Sequence, residues 1–64
     1  MTYREAVRYF RAHVRPDVDR RYPGANGHPD KPARREAWVN WTDGLHRDGQ
    51  ITDRQAQTWD QPEK

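Results

Sequence analysis

The chain has neither cysteine nor serine among its 64 residues. Without cysteine it has no disulfide staple and no thiolate zinc site. With both nucleophile types missing, and no threonine beside a plausible base, covalent catalysis has no candidate. Apolar residues are scarce at 31%, against 34% charged. No apolar run approaches the roughly 18–20 residues that span a membrane, and no signal-peptide segment is present, so the cytoplasm is the expected location.

What remains is one domain, residues 1–64. A chain of this size buries only about 60% of its unfolded surface. Three Trp, three Tyr and one Phe must compensate, since each aromatic can bury roughly 150–250 Å². They also argue against disorder in so charged a chain. Either they form a compact core, or folding needs a second copy or a partner.

The net charge of +2 is unevenly spread. Residues 1–35 carry nine Lys/Arg and four Asp/Glu, whereas residues 36–64 carry three and six. A basic half suits an acidic partner; a merely solvated surface is the plainer alternative.

The periodicity predicts an all-α fold of three helices over about residues 2–22, 32–47 and 52–60. Thr2 and Glu5 have capping-box spacing. Tyr3, Val7, Phe10, Val14, Val18 and Tyr22 form the first inner stripe, flanked by Ala6 and His13. Pro16 interrupts it, so the first helix is expected to kink there, or to give way to a second helix that Pro16 opens. Residues 23–31, with Pro23, Gly24, Asn26, Gly27, His28, Pro29 and Asp30, read as a loop. Pro32 suits the opening of the second helix, whose inner face is Ala37, Trp38, Trp41 and Leu45. Gly44 marks either a close helix contact or an early end. A tight Asp48-Gly49 turn follows, with Gly49 as the C-terminal cap. Thr52 and Gln55 repeat the capping box, with Ile51 and Ala56 at hydrophobic-staple positions and Ala56 and Trp59 pointing inward. The expected core is Tyr3, Val7, Phe10, Val14, Val18, Trp38, Trp41, Leu45, Ile51 and Trp59.

Chemistry-bearing constellations are few. Asp48-Gly49-Gln50-Ile51 looks like the middle of an EF-hand loop, but the other ligand positions fall on Gly44, His46 and Gln55, and the bidentate glutamate is missing. His13, His28 and His46 lack metal-ligand spacing, and Asp43, Asp48 and Asp53 sit where carboxylates cap helices. No metal, no cofactor and no catalytic residue is expected, and the chain is read as non-enzymatic. A DNA-binding helix-turn-helix would use Arg54, Gln55 and Gln57 to read bases, yet Asp53 and Asp60 would repel phosphates.

The sharper surface feature is Arg4, Arg8, Arg11 and Arg15, at i, i+4, i+7 and i+11 along the first helix. Arginine favours bidentate contacts to carboxylate or phosphate. Tyr9 lies across the helix and could stack. The modest net charge and scarcity of lysine weigh against strong non-specific nucleic-acid binding. These four arginines are the candidate partner-binding residues.

The run Ala37-Trp38, Trp41, Asp43, Leu45, Asp48-Gly49-Gln50-Ile51-Thr52, Gln55, Trp59 and Pro62 resembles a pattern in small phage-encoded proteins of unknown function. The start, Glu5-Ala6, Tyr9-Phe10, Val14 and Pro16, is similar to theirs as well. Leu45 to Trp59 also resembles short C-terminal oligomerisation helices with a Gly-x-Ile-Thr turn. The resemblance brings no activity with it and implies binding rather than catalysis. The expected role is a phage accessory protein in the host-cell cytoplasm that binds a host or phage protein. A small nucleic-acid-binding protein is the alternative, and self-association stays open.

Overall fold

The computed structural model describes residues 1–25 and 27–62; the expected loop residue Asn26 lies outside them. Four α-helical segments follow in order: α1 (Tyr3–Tyr9), α2 (Arg15–Arg21), α3 (Lys31–Arg47) and α4 (Asp53–Thr58). A π-helical turn over Phe10–Val14 joins α1 to α2 end to end. They form one rod, so the fold is the expected three-helix, all-α domain. Among the described residues there is no strand, only an isolated bridge between Ala25 and His28.

Local chemistry sets the ends. The Thr2 hydroxyl accepts from the Glu5 N–H at 3.2 Å, while the Glu5 carboxylate accepts from the Thr2 N–H at 3.2 Å. The Thr2 hydroxyl also donates to that carboxylate at 2.9 Å; this bond first, then the one from the Thr2 N–H, favours the charged form and holds the Glu5 pKa below its ordinary value. Asp30 caps α3 by accepting from the Ala33 N–H at 3.0 Å. At its other end α3 closes in a Schellman motif. Gln50 N–H donates to the Leu45 carbonyl at 2.9 Å and Gly49 N–H to the His46 carbonyl at 3.0 Å, with Gly49 at φ +78°. Thr52 and Gln55 then rebuild a full capping box on α4.

The irregularity expected at Pro16 falls in the turn before it. Proline supplies no N–H, and its ring crowds the carbonyl four residues back. The chain widens instead of breaking, and the Arg15 N–H reaches the Phe10 carbonyl, five residues back. In an ideal α-helix of about 100° per residue, Phe10 and Val18 would face about 80° apart. A π turn absorbs about one extra residue and brings them within about 20°. Both are buried, Phe10 at 0% and Val18 at 9% exposure.

The core centres on Ala6, Phe10 and Trp38, with Val7, Val14, Ala37, Trp41 and Trp59 packed against it. Several burial expectations need correction. Ala6, expected to flank the stripe, is fully buried, whereas Tyr3 is 37% exposed. An alanine between Tyr3 and Phe10 leaves room for the Trp38 indole, and Tyr3 covers that indole edge-on at 6.2 Å. Trp41 is only half-buried. Ala56 is exposed. α4 stops at Thr58, and Trp59 turns away in extended backbone. Its indole lies 5.7 Å from the Tyr3 ring and 6.3 Å from Trp38. Gly44 marks neither a helix end nor a close contact, because α3 continues to Arg47 and nothing lies within 4 Å of where its Cβ would sit.

Candidate partner-binding surface

Helix periodicity places Arg4, Arg8 and Arg11 within about 60° of one another around the rod, and all three are exposed. Among the described residues none of them forms an ion pair with a carboxylate, although the Arg8 charge acts on Glu5 three residues before it. Arginines elsewhere are paired: Arg20 and Arg21 with Asp17, Arg34 with Asp19, and Arg47 with Asp43. Arg35, half-buried on α3, and Arg54 on α4 carry no such pair either.

Arg15, the fourth member of the expected row, lies beyond the π turn and is half-buried. The extra residue absorbed there rotates it off the row, and its charge acts on Asp19. Arg34 holds Asp19 in a fork, with Nε to Oδ1 at 2.8 Å and a terminal nitrogen to Oδ2 at 2.6 Å. The Asp19 carboxyl is held below its ordinary pKa, first by the Arg34 hydrogen bond and then by the Arg34 and Arg15 charges. Partial burial opposes them. Arg15 thus belongs with the joint between α2 and α3, while Arg4, Arg8 and Arg11 face outward.

Beside the three exposed arginines runs an apolar strip, of which the sequence pattern assigns Tyr3 and Val7 to the core. Tyr3, Val7 and Pro62, with Arg4 and Arg11, line an open hollow. Tyr3 donates its hydroxyl to the Asp60 carbonyl at 3.1 Å, which draws the chain end against α1. The signal for this second row was the i, i+4 pair Tyr3 and Val7 on the arginine side of the stripe. That Pro62 completes it could not be read from periodicity.

The other flank of the rod has a different character. Tyr9 stacks parallel on Trp41 at 5.6 Å and touches the His13 ring at 4.5 Å. Its stacking capacity is therefore engaged within the molecule, although it stays 49% exposed. The three histidines do not converge, and no group of three His, Cys, Asp or Glu suited to a metal occurs among the described residues. His46 contacts Asp53 across the turn between α3 and α4.

The helix-turn-helix alternative meets a local obstacle. Gln55 is committed twice, to the Thr52 cap and through its amide to the Met1 carbonyl at 2.8 Å. Its helix is only six residues long and opens on Asp53. Among the described residues no helix is long and apolar enough to cross a membrane. No protein-family model, curated protein or solved structure matches the chain.

Proposed function

We propose that this chain is a non-enzymatic binding protein that grips an acidic surface of another protein through Arg4, Arg8 and Arg11. The observation that carries this reading is the row of three exposed arginines without carboxylate partners, on a molecule that pairs several of its other arginines. Charge-assisted bonds from guanidinium to carboxylate are stronger than neutral ones and often bidentate. Three on one face supply both steering and orientation. The likeness of the tryptophan-rich segment to small phage-encoded proteins supports a role as an accessory protein in the host-cell cytoplasm, acting on a host or phage protein. Nucleic acid is the less favoured partner, because Gln55 and Asp53 do not equip α4 to read bases.

The test is capture from bacterial lysate with the wild type and with Arg8→Glu/Arg11→Glu, alongside mobility shifts with duplex DNA and with RNA at two salt concentrations. We expect a protein partner retained by the wild type and lost by the double variant, whose helical spectrum is unchanged. Capture that is indifferent to the double substitution, or a shift of nucleic acid that depends on it, overturns the reading.

A further inference from the structure

We infer that the element gripped by this face is an acidic amphipathic helix, with a carboxylate row running directly beside an apolar row; this rests on the reading of Arg4, Arg8 and Arg11 as a partner-binding face. The surface consists of two parallel rows. One is Arg4, Arg8 and Arg11, which climbs about 10 Å at about 1.5 Å per residue. The other is Tyr3 and Val7, one turn apart on α1, which with Pro62 line the hollow that Arg4 and Arg11 border.

The two-row layout selects among partners. An extended strand shows each face only alternate residues, in a single row. Three same-side carboxylates on it would span about 13 Å at about 3.3 Å per residue, longer than the arginine row. A nucleic-acid backbone offers a row of phosphates but no apolar row beside it. An α-helix has the same rise as the rod it meets. It can present Asp or Glu at i, i+4 and i+7, or in the reverse sense at i, i+3 and i+7. Leucine-like residues one position over lie on the adjacent strip of surface. Those side chains would cover Val7 and Pro62, while the carboxylates meet the guanidinium groups. The apolar contact also removes water from around the ion pairs, where exposed pairs alone contribute little. It makes the match depend on arrangement as well as on charge.

The experiment uses two synthetic helical peptides of identical composition and net charge. In one, a glutamate row borders a leucine row; in the isomer, the glutamates lie on the opposite side of the helix from the leucines. Affinities for the full chain are measured by calorimetry, and the bound surface is located by amide shift changes. We expect the bordered peptide to bind about tenfold or more tightly than the isomer, a difference of roughly 1.4 kcal/mol. Shifts should fall at Val7 rather than Tyr9, and Arg8→Gln/Arg11→Gln should remove the preference. Equal affinity for the two peptides, lost in the double variant, would overturn the helix inference and leave the acidic-surface reading standing. Absence of binding by either peptide also overturns the inference. Together with lysate capture indifferent to Arg8→Glu/Arg11→Glu, it overturns both readings.

Discussion

Replacing Phe10 separates packing volume from ring geometry in this core. Its side chain is fully buried, and its ring meets Trp38 edge-on at 5.2 Å and Trp41 at 5.8 Å. Phe10→Ala removes the ring and leaves a cavity between α3 and the π turn, a change that costs about 3–5 kcal/mol. At about 0.05–0.15 kcal/mol per residue, a 64-residue chain has about 3–10 kcal/mol in total, so this substitution removes about a third or more of it and, at the low end of that range, leaves most molecules unfolded. Phe10→Leu keeps most of the volume and loses the aromatic pairs, worth about 0.5–1.5 kcal/mol each. For so small a domain, a loss near 1 kcal/mol lowers Tm by about 4–8 °C. Trp41→Ala should cost less than Phe10→Ala because the indole is only half-buried. Thermal melts followed at 222 nm, with urea titrations as a second measure, give all three values. A Phe10→Ala variant that melts within a few degrees of the wild type would refute the assignment of this ring to the centre of the core.

The remaining expectations concern backbone and charge. Gly44→Ala should stabilise by about 0.5–1 kcal/mol, because the added methyl meets nothing within 4 Å; an unchanged or lower Tm would contradict this. Gly24→Ala should destabilise by more than the roughly 1–2 kcal/mol of a left-handed conformation, since its Cβ would sit 2.0 Å from the His28 carbonyl oxygen; a melt like that of the wild type would refute the loop geometry. The lowered Asp19 pKa means that the folded state holds the proton less tightly than the unfolded one. That stability is present above the ordinary aspartate pKa of about 3.9 and is lost as pH falls through the lower folded value. The acid-side slope of Tm should therefore flatten in Asp19→Asn, modestly because the carboxylate is partly exposed; parallel profiles would remove Asp19 from the acid response.

Capping chemistry was legible to the residue. Thr2 with Glu5, Thr52 with Gln55, and Gly49 each act where composition and spacing put them, because a cap depends on neighbours within four residues. Burial was harder to read. Ala6 and Tyr3 exchanged their expected roles because the stripe gives the direction of a side chain but not which neighbour is large. Trp59 was expected at the inner face of a longer α4. It reaches Tyr3 and Trp38 from extended backbone, a placement that depends on the chain end being drawn across by the Tyr3 hydroxyl. The arginine row was visible as i, i+4 and i+7, but its fourth position was not. Counting at a constant 3.6 residues per turn carries Arg15 along with the others, and the π turn that removes it leaves only Pro16 as its mark in the sequence.

In a regular helix, length and direction are bound together: removing one residue swings everything beyond it by about 100°. Between Phe10 and Val14 this chain already holds one residue more than a regular helix would use. A shorter chain lacking exposed Ala12, and with alanine in place of Pro16, can straighten into unbroken α-helix and still return Val18 to the side of Phe10. The side of the rod that carries Phe10 and the side that carries Val18 therefore keep the same phase whether the extra residue is present or not. The molecule can lose a residue at this one point of its longest rod without exchanging its buried side for its exposed one.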